Sequence, residues 1–406
     1  MGRQKDRMLI KNVKIFTERK CFVPGAVLVK EDRIGQIIVG EQEGKDGILS
    51  ADTEIIDGHG AYCIPGMIDL HFHGCQGYDI CDGTKEAMDA IARYEASIGV
   101  TAIAPATMTL PAEDLKQILA NAAAFRQEQE RSVKEEIPFQ ADLLGINMEG
   151  PFISPVKKGA QDDAYILPCD TALFESFQKA AQGLVRFIGL APEEAGSGQA
   201  ERFIEEVKGK VTVSLAHTNA GYDAAKAAFD AGAGHLVHMY NAMPPFLHRE
   251  PGVIGAAADS PHVMVEIICD GVHVHPSAVR GALSLIGEER MIFISDSMRA
   301  AGMPDGLYTL GGQDVQVKGK YATLLSAGSL AGSVTPLPDC VRTAVKEMDI
   351  PLETAVACAT IHPARSLGVE EEYGSIAPGK KANLLLWDEE LELKLVMKDG
   401  RIIRQI

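Results

Sequence analysis

His71 and His73 stand two residues apart in Leu70-His-Phe-His-Gly74, so on an extended strand both imidazoles point to the same side. Two imidazoles so placed suit a divalent ion; they equally suit a half-buried pair satisfied by hydrogen bonds. Four further donors weigh toward metal. Glu149 stands in Met148-Glu-Gly-Pro, His217 in Leu215-Ala-His-Thr, His238 in Leu236-Val-His-Met-Tyr and Asp296 in Ile294-Ser-Asp-Ser, each in or just after a short apolar run. Alone, Glu149 reads as a capping or surface carboxylate. Together, the six are the mixed imidazole and carboxylate set that Zn²⁺ or Fe²⁺ sites use, and the chemistry to expect is hydrolysis by an activated water.

Such chemistry needs a base and a polarising donor. Asp296 is the natural base, since a carboxylate beside a divalent ion stays ionised, accepts a water proton and passes it to a leaving amine. His273, in Asp270-Gly-Val-His-Val-His275, can donate to a carbonyl oxygen as charge builds there; the competing reading is a loop histidine facing water. His275, of the same parity but farther out, reads as structural or as a support one layer behind the reacting groups. Arg249 follows His238 in a segment that also holds Asn241. It can fork onto a phosphate or carboxylate, or pair with Glu250 at the surface. A local clamp matters because 56 acidic against 39 basic residues leave a net charge of −17, a field that repels anions and is screened beyond about 8 Å at physiological salt. No Walker A, G-x-G-x-x-G, G-x-S-x-G or H-E-x-x-H pattern occurs, so phosphoryl and hydride transfer are not the leading chemistries.

The elements that must position these residues follow a regular rhythm. Eight apolar strands are predicted at Cys63–Phe72, Ala102–Thr107, Asp142–Met148, Val185–Ala191, Val211–Ala216, Leu236–Tyr240, Met264–Cys269 and Met291–Ser295, alternating with helical patterns. In one of these, Thr84 can cap a helix whose stripe is Ala87, Met88, Ile91 and Ile98 and which Gly99 ends. Eight such units predict an α/β fold, a (β/α)8 TIM barrel, with the six donors at its C-terminal face. The first sixty and last forty residues alternate apolar and polar positions instead, so both termini are expected to build one small β-sandwich. The division is 1–60 and 365–406 for that domain and 61–364 for the barrel. Gly302–Gly328 reads as hairpin strands inserted after the eighth barrel strand, overhanging the site.

Composition narrows the partners. Hydrophobic residues at 46% and charged residues at 23% describe a globular chain, and no basic run neutralises a nucleic-acid backbone or an anionic membrane. No uncharged apolar stretch reaches the eighteen or so residues of a membrane span. Met1 to Arg7 is charged and lacks an export signal's apolar region. Eight cysteines without a C-x-x-C pair are expected to be reduced, buried thiols, which fits the cytoplasm.

H-x-H on the first strand, histidines on the fifth and sixth and aspartate on the eighth resemble the amidohydrolase superfamily. Within it, Pro65-Gly-Met-Ile-Asp-Leu-His-Phe-His-Gly, Asn147-Met-Glu-Gly-Pro-Phe, Ala216-His-Thr-Asn-Ala, His238-Met-Tyr-Asn-Ala-Met, Arg249-Glu-Pro-Gly, Asp270-Gly-Val-His and Leu330-Ala-Gly-Ser resemble the N-acetylglucosamine-6-phosphate deacetylase family. The tail Gly374-Ser-Ile-Ala-Pro-Gly-Lys-Lys-Ala-Asn resembles the superfamily's returning β-domain. The resemblance implies that Glu149, His217 and His238 hold a principal ion with Asp296 as general acid/base. It implies that His71 and His73 match forms in which a second ion binds, so one or two ions, zinc or iron, are expected. It also implies that Asn241, Ala242 and Arg249 contact a sugar phosphate, the arginine reaching across a homodimer, and that His273 lies near the reacting amide. Ala160, Gln161 and the run Leu330, Ala331, Gly332 match further substrate contacts, although members of the family carry histidine where Gln161 stands. The fourth strand offers no lysine for carbamylation, the bridge used by cyclic-amide hydrolases. The implied reaction is deacetylation of the phosphorylated amino sugar; the rivals are the galactosamine epimer, an N-acyl-D-amino acid and an inactive scaffold.

Overall fold

The computed structural model describes residues 7–40, 52–132 and 139–405; the charged start at 1–6 and part of the first expected domain, 41–51, lie outside them. Alternation in the N-terminal segment produces the antiparallel strands Arg7–Phe16, Phe22–Lys30 and Arg33–Val39. They join Glu54–Asp57, Tyr62–Pro65 and the C-terminal strands Leu384–Trp387, Leu393–Lys398 and Arg401–Gln405 in one eight-stranded sheet. The seam is antiparallel, with Ile64 opposite Leu385. Met8, Ile10, Val27 and Val29 pack with Leu384, Leu386, Leu395 and Met397 in one cluster, while Leu9, Ala26, Leu28 and Ile38 form another. Arg33 bridges to Lys381, so the two layers of the expected sandwich are halves of a single curled sheet.

Gly66 separates this sheet from the rest. A Cβ there would lie 2.1 Å from Thr101 Oγ1, and its absence lets the chain cross closely from one sheet to the next. The predicted strand Cys63–Phe72 is therefore two elements, Tyr62–Pro65 in the terminal sheet and Met67–Asp69 in the parallel series. Beyond it follow Val100–Ile103 with Ala106–Thr107, Asp142–Leu143 with Ile146–Phe152, Val185–Leu190, Thr212–Leu215, His235–Leu236, Met264–Ile268 and Met291–Ile294. All pairings are parallel: Met67–Asp69, Val100–Ile103 and Asp142–Leu143 form a three-stranded sheet, and Ala106–Thr107, Ile146–Phe152 and the five strands after it form a seven-stranded curled one. After the last strand, Asp296 N–H donates to His71 O at 3.0 Å and His73 N–H to Ser297 O at 2.7 Å.

The predicted first helix is present as Lys85–Ser97, with Thr84 accepting from Ala87 N–H, Ala87, Met88 and Ile91 buried, and Gly99 at φ 98° just beyond. The predicted sixth strand Leu236–Tyr240 is shorter, because the chain leaves extended geometry at His238, φ 26°. The insertion is a three-stranded antiparallel sheet, Gly306–Leu310, Gln313–Lys318 and Tyr321–Leu324, whose Leu310, Val315 and Leu324 pack on Met108 and Met298. All eight cysteines are free, and most are buried, but Cys21 is exposed rather than buried as expected. Among the described residues no helix is long and apolar enough to cross a membrane.

Candidate metal centre

The six donors arrive from five strand ends. His71 and His73 follow Met67–Asp69, Glu149 lies within Ile146–Phe152, and His217, His238 and Asp296 each stand two residues past a strand terminus. Those last three have positive φ, 43°, 26° and 49°, a conformation that costs a non-glycine residue about 1–3 kcal/mol and gathers where geometry serves function.

Glu149 is the hub. Its Oε1 lies 2.8 Å from His217 Nε2 and 2.9 Å from His238 Nε2, and those two ring nitrogens are 3.3 Å apart. His73 Nε2 lies 3.3 Å from Asp296 Oδ1 and 3.6 Å from Glu149 Oε2. The outward ring nitrogens are anchored, His73 Nδ1 to Ala106 O at 3.1 Å, His217 Nδ1 to Lys157 O at 2.8 Å and His238 Nδ1 to Asn241 O at 3.1 Å. Carbonyls only accept, so each Nδ1 carries the proton of that bond and each Nε2 is turned inward toward the other donors. His71, His73 and Asp296 form one set of atoms within 4.8 Å of one another, and His71, Glu149 and His238 a second.

Burial opposes ionisation of Glu149, yet His217 and His238 hold its carboxyl well below the usual range. Burial likewise opposes the charge on Asp296, and His73 and His71 overcome it. Among the described residues no lysine or arginine side chain pairs with either carboxylate. His71 Nε2 is buried without a hydrogen-bond partner, 3.6 Å from Glu149 Oε1 and 3.8 Å from Asp296 Oδ1, beyond hydrogen-bond range. An orphaned nitrogen beside two buried carboxylates that only imidazoles accompany among the described residues fits a divalent cation.

The remaining predicted residues are placed less evenly. His273 Nδ1 is 2.7 Å from Asp270 Oδ2; burial opposes its charge, but Asp270 raises its pKa. Gln161, 1% exposed, donates from Nε2 to Glu149 Oε2 at 2.6 Å and accepts from Thr109 N–H at 2.6 Å, so its amide is committed to the hub. Asn241 and Ala242 are half-buried in the turn after His238. Arg249 is exposed, contacting His248 Nε2 at 2.7 Å and, among the described residues, neither Glu250 nor the six donors. Ala160 O accepts from Gln313 Nε2 at 2.7 Å, which ties it to the inserted sheet. Leu330 is exposed, Ala331 is buried, and Gly332 has φ 62° with Asp296 O near its position. His275 caps the helix Pro276–Ile286 by accepting from Ser277 N–H, a structural task. Sequence reasoning missed Glu266, fully buried in Met264–Ile268. Burial opposes its ionisation, but His71 and His235 hold its pKa at about 2. A lone acid in an otherwise apolar strand was the available signal.

A family model, the Amidohydrolase family, matches residues 62–403. The chain belongs to the amidohydrolase family. This amidohydrolase is 36% identical over 401 residues to the N-acetylglucosamine-6-phosphate deacetylase of Bacillus subtilis, covering 98% of this chain and 97% of the relative. It is 35% identical to an N-acetylgalactosamine-6-phosphate deacetylase of Escherichia coli, covering 88% and 93%. Its structure superposes with a TM-score of 0.85, at 30% identity and covering 98% and 99% of the chains, on a variant N-acetyl-D-glucosamine-6-phosphate deacetylase of Mycobacterium smegmatis in complex with N-acetyl-D-glucosamine-6-phosphate.

Proposed function

We propose that this amidohydrolase cleaves the acetamido group of N-acetyl-D-glucosamine 6-phosphate, giving D-glucosamine 6-phosphate and acetate in amino-sugar catabolism. The observation that carries the reading is the convergence of four imidazoles on Glu149, with Asp296 beside two of them; the substrate comes from the relatives. We read the parallel strands as a closed (β/α)8 barrel over 61–364, supported by the backbone bonds from Asp296 to His71 and from His73 to Ser297. The arms 1–60 and 365–406 form the terminal domain, which borrows the strand Tyr62–Pro65.

Glu149, His217 and His238 hold the principal ion, and His71, His73 and Asp296 a second, zinc or iron suiting the donors. Held there, a divalent ion would supply polarisation of the amide carbonyl and a lowered pKa for water. Asp296, kept ionised by His73 and His71, takes up the proton and delivers it to the amide nitrogen, which then leaves as the amine. His273, whose pKa burial lowers but Asp270 raises on balance, donates from Nε2 to the acetyl oxygen as negative charge builds. Asn241, Ala242 and Arg249 bind the phosphate, the arginine supplied by the neighbouring protomer of a homodimer, and its guanidinium, exposed and without an ion pair among the described residues, supports that role. Ala160, Gln161, Leu330, Ala331 and Gly332 border the sugar. Eight free thiols support a cytoplasmic setting.

The test is free acetate released from N-acetylglucosamine 6-phosphate by Zn²⁺- or Fe²⁺-loaded protein, beside the unphosphorylated sugar and the galactosamine epimer. Preferential release from the phosphorylated glucosamine substrate is expected. Equal turnover of the unphosphorylated sugar would remove the phosphate clamp, and no release from any arm would redirect the search to N-acyl-D-amino acids.

A further inference from the structure

Glu266 interrupts a strand whose neighbours Val265 and Ile267 are core residues. Three donors meet its carboxylate. His71 Nδ1 lies 2.8 Å from Oε2, the backbone N–H of His238 donates to the same oxygen at 3.1 Å, and His235 Nε2 lies 3.0 Å from Oε1. Behind His235, its Nδ1 is 3.3 Å from Ser366 Oγ. An ionised carboxylate only accepts, so a neutral His71 carries its proton on Nδ1 and presents Nε2, the orphaned buried nitrogen, as a lone pair. His71 is also the residue that both donor sets share, and His238 is a ligand held in a left-handed backbone conformation. One buried side chain therefore touches a donor of each ion position.

We propose that Glu266 is a positioning residue of the metal centre, fixing His71 in the tautomer whose Nε2 faces the other donors and tying that ring to the backbone of His238. The inference rests on the metal-dependent reading above. Its physical basis is general: a carboxylate on the far nitrogen of a ligating histidine sets the tautomer and strengthens the ligand, and its loss typically weakens metal affinity about 10–100-fold. Apolar packing alone would not place a charged group here, because burying a carboxylate is unfavourable unless several donors compensate it.

Glu266→Gln is the direct test. The glutamine carbonyl can take the place of Oε2, and His235 can accommodate the new amide by moving its own proton to Nδ1, toward Ser366. The packing then survives while the negative charge behind His71 is lost. Zn²⁺ titration with elemental analysis after dialysis is expected to show affinity about 10–100-fold weaker and fewer ions retained per chain than in the wild type. Turnover should fall with KM for the sugar phosphate nearly unchanged, and added Zn²⁺ should restore it, a rescue that a packing defect would not show. A folded Glu266→Gln protein with wild-type Zn²⁺ affinity and stoichiometry would overturn the proposal. A wild type that retains no ion would overturn both it and the reading on which it rests. Should the variant not fold, long-range ¹H–¹⁵N spectra of the Zn²⁺-loaded wild type decide the matter. The His71 proton on Nδ1 supports the assignment, and a proton on Nε2 overturns it.

Discussion

Asp142 and Glu149 lie on successive strands, Asp142–Leu143 and Ile146–Phe152, yet they anchor ionic clusters of opposite design. Asp142 Oδ2 accepts from Tyr373 Oη at 2.8 Å, Lys398 Nζ at 3.0 Å and Lys381 Nζ at 3.1 Å, and Asp399 pairs with both lysines. Two carboxylates face two ammonium groups and the charges cancel. Around Glu149 there are three buried carboxylates, counting Asp296 and Glu266, and among the described residues the only ionisable bases paired with them are imidazoles. A cluster that joins parts of a fold closes its own charge balance; one built for chemistry leaves acceptors aimed at a shared point.

Three substitutions test that distinction. The largest effect belongs to Asp296→Asn, for which turnover should drop about 10²–10⁴-fold while circular dichroism and unfolding midpoint stay near wild type. Near-normal turnover would end its assignment as proton carrier. Asp142→Asn should do the reverse. Removing one partner of a buried pair typically destabilises by about 3–5 kcal/mol, which urea unfolding would show, with the turnover of the remaining folded protein unchanged. If it abolished turnover without lowering stability, the contrast between the two clusters would fail. A pH series sharpens the same point. Burial opposes ionisation of Asp142, but Lys398 and Lys381 hold its folded-state pKa below the ordinary value. Its contribution is therefore complete above the unfolded value of about 4 and is lost as pH falls from there through the folded value. Asp142→Asn should flatten that acid limb of the stability curve. The smallest change is expected for Arg249→Ala, on neither cluster. KM should rise about ten- to a hundred-fold, as for loss of a charged hydrogen bond, with Tm unmoved; an unchanged KM would take Arg249 out of the phosphate site.

Much of the active end was legible because its residues break the pattern around them. Imidazoles and carboxylates at the ends of apolar strands stand out against a hydrophobic background, and all six donors come together. Strand positions from Val185 onward were legible for a related reason: short apolar runs bounded by turn residues leave few alternatives. The boundary at Gly66 was not, since the run is apolar on both sides of it, Cys63-Ile64 before and Met67-Ile68 after, and a fully buried strand carries no mark of which sheet it joins. The early end of the sixth strand was hidden as well, because His238 takes up a backbone conformation set by its contacts with Asn241 and Glu149 rather than by propensity. Gln161 and Glu266 act through partners distant in sequence, Glu149 for the first and His71 for the second. Spacing along one strand could not supply those pairings.

The seam between Ile64 and Leu385 sets a timetable for the molecule's birth. At translation speeds of about 5–20 residues per second, Tyr62–Pro65 leaves the ribosome on the order of tens of seconds before its C-terminal neighbour exists. Throughout that interval the nascent chain carries an apolar strand with one side open, the kind of edge on which chains aggregate. The order of synthesis thus makes this edge the last in the terminal sheet to be covered.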